Sequence, residues 1–315
     1  AFLGQAVGLL VGSRAHLALP RPGRPVDRVA GALAGVLGVA VALWLLLPAM
    51  AEVPGPVSRL ARSSTLMRAI EANAPEPPDA LQALGGLVGD DGSPQVFERL
   101  RRSPDAGPAP TEAGLPRDVL DLAAASTVLV EGRACDRIQD GTGFVVDDRT
   151  VVTNAHVVAG EDKTVLMRPD GSEVDADVVL FDPDRDLALL DAPDIALPPL
   201  PLGGADVGTR GAVFGHPGGG ALEISPYLLR EEVEAVGRDL YGQRQTRRSI
   251  LVLAADLAPG DSGAALVDAT GAVAGVAFAI APDRSGTAYA LAVEELEAVL
   301  AAPVNAGTDT GPCLD

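Results

Sequence analysis

From residue 29 to residue 47 the chain carries no charged side chain, and no other feature of the sequence restricts its folding as strongly. Nineteen residues at ~1.5 Å rise per residue nearly cross the ~30 Å hydrocarbon core of a bilayer. Trp44 sits near the C-terminal end, at the depth where an interfacial aromatic anchors. A second apolar stretch, residues 1–12, precedes it, which argues against a cleaved leader. Gly4, Gly8 and Gly12, then Gly31 and Gly35, recur at four-residue spacing and let two membrane helices pack closely. Between the stretches, Arg14, Arg21, Arg24 and Arg28 face a single acid, Asp27, a bias that keeps this loop in the cytoplasm. The expectation is a multi-pass cell-membrane protein: a membrane part over residues 1–50 with a truncated first span, and everything after Met50 extracytoplasmic.

Residues 51–118 are interrupted by ten prolines, among them Pro54, Pro75, Pro94 and Pro116, and read as a Pro/Gly-rich spacer. Leu60, Leu66, Met67 and Ile70 can line one face of a short helix, and Val96, Phe97 and Leu100 another. Exposed, poorly packed segments are where chains are nicked. The stretch around Arg101, Arg102 and Ser103 is therefore a candidate site of self-processing.

From residue 119 to the end at residue 315 the pattern changes to short β-branched runs separated by turn residues. Strands are expected over residues 126–131, 141–146, 150–152, 165–167, 174–181, 187–191, 211–214, 230–236, 249–254, 264–267, 273–279 and 287–292. A Pro-rich crossover is expected over residues 196–202. Residues 293–300 read as a terminal helix with Glu294, Glu295 and Glu297 in or near its first turn.

Three polar positions stand out against this apolar background. Ser262 lies in Gly260-Asp261-Ser262-Gly263, where flanking glycines permit a tight turn and close approach of a carbonyl. The N–H groups of Gly260 and Ser262 can converge there on a developing oxyanion. The same four residues also make an ordinary β-turn, so the segment is not diagnostic alone. A serine hydroxyl needs a base, and His156 ends a strand-like run as one of only three histidines, with His16 and His216. Asp186, at the edge of an apolar run, is the candidate orienting carboxylate, with Asp182, Asp184 and Asp191 nearby as competitors.

Thr153-Asn154-Ala155-His156-Val157-Val158, Asp186-Leu187-Ala188-Leu189-Leu190 and Gly260-Asp261-Ser262-Gly263 resemble the three signature blocks of chymotrypsin-fold serine proteases of the HtrA-like branch. The resemblance covers roughly residues 119–304. It implies an all-β protease domain of two six-stranded antiparallel β-barrels, trypsin-like, preceded here by transmembrane α-helices. It implies a catalytic triad of His156, Asp186 and Ser262 in the cleft between the barrels, acting on protein or peptide substrates without a cofactor or metal. Counting back from Ser262, Asp256 occupies the position that floors the specificity pocket in many such enzymes; a strand-end acid is the alternative. Residues 278–281, with Phe278 and Ala279, correspond to the strand that pairs with substrate backbone. The apolar N-terminus and terminal cysteine resemble the membrane-anchored acid-resistance serine proteases of mycobacterial type, which carry a colicin-V-production-like membrane domain. Envelope stress or acid resistance is the role this implies.

Cys135 and Cys313 are the only cysteines. Bonded to each other they close a loop of roughly 180 residues, for which chain entropy allows ~5 kcal/mol at most; free or intermolecular thiols are the alternative. With 24 Lys and Arg against 43 Asp and Glu, net charge −19, the chain lacks the basic surface that nucleic acid requires. Neither the two cysteines nor the three histidines are spaced as metal ligands. An inactive protease-like module that binds peptides or senses envelope stress is the rival reading, and the presence of all three triad residue types weighs against it.

Overall fold

The structure, a computed structural model, describes residues 104–134, 137–281, 284–305 and 307–314. The expected membrane spans, most of the spacer, the nicking site at Arg101, Arg102 and Ser103, and Cys135 lie outside the described residues. Among the described residues, no helix is long and apolar enough to cross a membrane.

Twelve strands form two closed six-stranded barrels. The first contains β1 (Thr127–Ala134), β2 (Arg137–Val145), β3 (Thr150–Thr153), β4 (Glu161–Met167), β5 (Glu173–Asp182) and β6 (Leu187–Asp191) in the order β1-β2-β3-β6-β5-β4. The second contains β7 (Arg210–Gly215), β8 (Glu223–Arg238), β9 (Gln245–Ala254), β10 (Ala265–Asp268), β11 (Val273–Ile280) and β12 (Thr287–Ala292) in the order β10-β11-β12-β9-β8-β7. All the pairings within the barrels are antiparallel. Closure removes the unpaired edges that an open sheet would expose.

Each barrel is filled by small aliphatic side chains, in keeping with an aromatic content of only 3%. Val128, Val130, Val151, Leu166 and Leu190 fill the first. Val213, Leu229, Leu253, Leu266 and Ala290 fill the second. A third cluster, with Phe144, Leu187, Phe214, Val252 and Leu291, joins residues of both barrels and packs them together. Buried apolar area contributes about 25 cal/mol per Å², so this shared cluster holds the two barrels together.

Several boundaries differ from the sequence reading: β2, β4 and β9 each start four residues before the expected position, at Arg137, Glu161 and Gln245, and two further differences are larger. Residues 117–126 form a helix, α1 (Arg117–Ser126), so the spacer ends earlier than residue 118 and β1 starts at Thr127. Pro116 precedes its first turn and three consecutive alanines favour the helix, while Val119, Ala123 and Ser126 bury one face. The strand expected over residues 230–236 runs from Glu223 to Arg238. Glu231, Glu232 and Glu234 are exposed along it, and its register shifts between Leu229 and Glu231, which breaks the alternation that periodicity detects. The terminal helix, α3 (Val293–Leu300), lies where expected.

Candidate active site

β3 ends at Thr153 and the chain turns into a single helical turn, α2 (Ala155–Val158). Ala155, Val157 and Val158 are buried, so the turn is held down by its apolar side chains and His156 is left half-buried, with 21% of its side chain exposed. Asp186 precedes β6 at φ 60°, a left-handed backbone position that aspartate tolerates better than most residues. It is 3% exposed. Its Oδ2 lies 2.8 Å from His156 Nδ1, and its Oδ1 accepts the His156 backbone N–H at 2.9 Å. Both carboxylate oxygens are thus committed to one residue, which fixes the imidazole's position and places the Nδ1 proton on the Asp186 side. Burial pushes the His156 pKa down; the Asp186 charge and hydrogen bond together outweigh that and hold it above the ordinary histidine value.

The Ser262 segment is pressed against this pair from the second barrel. The Ser262 carbonyl accepts Thr142 N–H at 2.8 Å, and a Cβ on Gly263 would lie 3.1 Å from Asn154 N and 2.5 Å from Thr153 Oγ1. The serine is therefore set beside the turn that displays His156. Among the described residues, no hydrogen bond joins the Ser262 hydroxyl to His156. Such contacts commonly tighten only when substrate binds. Gly260 has φ 101°. The N–H groups of Gly260 and Ser262 donate to no other group among the described residues and remain available. Asp261, between them, is 5% exposed, and its Oδ2 accepts Ala258 N–H at 2.9 Å. Burial raises its pKa to about 6, against the Ala258 hydrogen bond, with Glu223 adding to the rise.

The remaining expected residues are less engaged. Asp256 is exposed, with Oδ1 3.6 Å from the point that a Cβ on Gly286 would occupy. Phe278 is 5% exposed and its ring belongs to the shared core, so only its backbone faces outward. Ala279 is half-buried on β11 and opposes Tyr289 across a register shift. His216 is a loop residue whose Nδ1 donates to the Gly220 carbonyl at 3.0 Å. Cys313 carries no free thiol.

Several supporting residues escape a motif reading. Gln139 Nε2 donates to the carbonyls of His156 and Val157, both at 2.6 Å, and closes the end of α2. Asn154 Nδ2 donates to the Asp186 carbonyl at 2.8 Å. Thr142 connects β2 to the loop that carries Ser262. Asn154 lies two residues before His156, in the same motif; Gln139 and Thr142 lie on β2, whose sequence mixes polar and apolar residues and marks neither.

A family model described as trypsin-like peptidase domain matches residues 141–276, a span that takes in His156, Asp186 and Ser262. Serine protease Rv3671c of Mycobacterium tuberculosis (strain ATCC 25618 / H37Rv) is 34% identical over 292 residues, covering 89% of this chain and 73% of the relative. The crystal structure of the Rv3671c protease in its active form is 34% identical, with a TM-score of 0.65, and covers 70% of this chain and 100% of that one. The HtrA-type protease AlgW with a tripeptide is 28% identical at a TM-score of 0.50, covering 57% of this chain and 60% of that one. Two antiparallel barrels, an imidazole–carboxylate pair beside a serine loop and this degree of identity converge: the chain belongs to the trypsin-like serine proteases, homologous to Rv3671c and the HtrA proteases, and is a serine protease.

Proposed function

We propose that the chain is a membrane-anchored extracytoplasmic endopeptidase using His156, Asp186 and Ser262 as its triad. Ser262 Oγ attacks the scissile carbonyl while His156 Nε2 takes its proton. Asp186 holds the imidazole and stabilises the imidazolium. The oxygen of the tetrahedral intermediate rests between the N–H groups of Gly260 and Ser262. His156 then returns the proton to the leaving amine, and water repeats the cycle on the acyl-enzyme. The observation that carries this reading is the double hydrogen bond of Asp186 to His156, at 2.8 and 2.9 Å, on a turn that abuts the Ser262 segment. A fluorophosphonate probe tests it. Wild type is labelled and cleaves peptide; Ser262→Ala does neither. Labelling that persists in Ser262→Ala refutes the assignment.

Membrane anchoring is supported by the charge-free run over residues 29–47 and the arginine-rich loop before it. Carbonate extraction and protease accessibility of the full chain test it. A soluble chain overturns it. A Cys135–Cys313 disulfide is supported by the bonded state of Cys313 and by Cys135 being the only other cysteine. It would tie the C-terminal tail to the first barrel. Unchanged melting and turnover after reduction count against that role. Self-processing near Arg101 is tested by N-terminal sequencing of wild type and Ser262→Ala; identical processing rules it out. A role in envelope stress or acid resistance follows the resemblance and is tested by survival of a deletion strain at low pH.

A further inference from the structure

Thr142 is wholly buried on β2 and has no part in the triad, yet its hydrogen bonds reach across the cleft into the second barrel. Its N–H donates to the Ser262 carbonyl at 2.8 Å. Its Oγ1 donates to the Gly260 carbonyl at 2.8 Å and accepts the His216 N–H at 2.9 Å. Its own carbonyl accepts Thr153 Oγ1 at 2.7 Å, beside the turn that carries His156. The directions are forced, because a carbonyl can only accept and a backbone N–H can only donate, while a hydroxyl does both.

These bonds fix the loop in one orientation. The Gly260 carbonyl is pinned by the Thr142 hydroxyl. The Pro259 carbonyl is pinned by Gly218 N–H at 2.7 Å, and Gly218 lies on the turn that Thr142 anchors through His216. A trans peptide sets its N–H opposite its carbonyl, so the Gly260 N–H is turned away from the residue 216–219 turn. Rotating that peptide breaks the Gly218 bond. Releasing the Thr142 hydroxyl frees both the Gly260 carbonyl and the anchor of the turn. The N–H arm of Thr142 is available to any residue, but the hydroxyl arm is not. Branching at Cβ also restricts χ1, so threonine holds the hydroxyl more firmly than serine.

We propose that Thr142 is the positioning residue of the oxyanion hole, its hydroxyl holding the Gly260 peptide and the His216 turn so that the Gly260 and Ser262 N–H groups stay aimed at the reacting carbonyl oxygen. The inference rests on the assignment of Ser262 as the nucleophile above, and Ser262→Ala, which keeps both N–H groups, tests that assignment separately. If that variant keeps its activity, the assignment itself fails, whatever Thr142 does.

The test compares Thr142→Val, Thr142→Ser and Thr142→Ala in the full chain. It reads kcat, KM, the melting temperature and the affinity of a peptide boronic acid, which forms a tetrahedral adduct on the serine. Losing the alignment of one donor is expected to lower kcat about 100-fold in Thr142→Val, with KM within about twofold. Boronate affinity falls by a similar factor. Thr142→Ser restores kcat to within about fivefold. Thr142→Ala, which introduces no clash, carries the same reading if the valine variant does not fold. The proposal is overturned if a folded hydroxyl-free variant keeps its kcat, loses activity through KM alone, or binds the boronate as wild type does. Failure of serine to rescue a folded protein overturns it as well.

Discussion

Arg248, on β9 of the second barrel, donates its Nε–H to the carbonyl of Asp184 at 2.6 Å, two residues before Asp186 in the first barrel. Its second arm donates to the Arg238 carbonyl at 2.8 Å. The side chain is 6% exposed, so the guanidinium is embedded among backbone carbonyls. Burial pushes its pKa down, opposed by the charges of Asp186, Asp182, Glu295 and Asp184. Leu240 N–H reinforces the clamp by donating to the Pro183 carbonyl at 2.9 Å. The loop that carries Asp186 is thus held by the opposite barrel.

Replacing Arg248 with methionine keeps most of the volume and removes both donors. Two part-buried bonds to a charged donor are lost, each worth about 1.5–3 kcal/mol at most. The expected loss is about 2–4 kcal/mol in urea unfolding, with turnover reduced more than tenfold. Arg248→Lys keeps one arm and falls between. Wild-type stability and turnover in the methionine variant would mean that the clamp does not position Asp186.

Asp186→Asn isolates the orienting role from the backbone. Asparagine also tolerates the φ of 60° and can still accept the His156 backbone N–H. Its amide, however, faces Nδ1 with a donor and stabilises the wrong tautomer. We expect turnover to fall by about 10⁴-fold with little change in melting temperature. Asp186→Ala adds backbone strain of roughly 1 kcal/mol or more and lowers both.

The raised pKa of His156 predicts a pH profile. The base must be neutral, so kcat/KM should fall on the acid side with a midpoint above 6.5. In Asp186→Asn the favourable charge is lost and burial acts unopposed, so the midpoint moves down. For stability the sign is opposite: a folded-state histidine that binds its proton more tightly contributes most below 6.5, and the contribution is lost as pH rises through the folded value.

Glu161 is 8% exposed, with Oε2 accepting Thr164 Oγ1 at 2.6 Å and Oε1 buried without a partner. Its carboxyl fills the space that a Cβ on Gly132 would occupy. Burial raises its pKa from 4.5 to about 8, against the Thr164 hydrogen bond and helped by Glu131. Folding therefore favours the protonated acid. Stability from this group is complete below pH 4.5 and declines as pH rises towards 8. At neutral pH the decline is on the order of 3 kcal/mol. In Glu161→Gln, melting temperature measured from pH 4 to pH 9 should lose most of this slope; an unchanged slope assigns it elsewhere.

Gly260→Ala tests the geometry of the Ser262 loop. A Cβ there would lie 2.4 Å from the His216 carbonyl oxygen and 2.6 Å from Gly218 N, both backbone atoms that cannot swing aside. At φ 101° the alanine is also strained. We expect turnover to fall at least about 100-fold and stability by about 1–3 kcal/mol. Retention of wild-type kcat would show that the loop relaxes without consequence.

Local pattern carries local structure. β6, β12 and the terminal helix run over the same residues as their apolar periods, because each is short, regular and bounded by polar or turn residues. β8 was half-seen, since three glutamates and a register shift hide a strand whose pairing is provided by β7 and β9. Helix α1 is hidden in the sequence because its polar first turn follows a Pro-rich run and only Val119, Ala123 and Ser126 are buried along it. The candidate triad is picked out in the sequence by a similarly local signal. Each of His156, Asp186 and Ser262 sits in a short block whose neighbours serve the same site.

The sequence by itself determined which residue types are available for acyl transfer and which segments alternate as strands, because both are properties of a few adjacent residues. The tertiary structure alone decided that Asp186 spends both oxygens on His156, that Arg248 holds the loop beneath it, and that the Thr142 hydroxyl reaches the Gly260 carbonyl. Those contacts join positions 30 to 118 residues apart. Their geometry is set by how two closed barrels pack, and no local period in the chain encodes that packing.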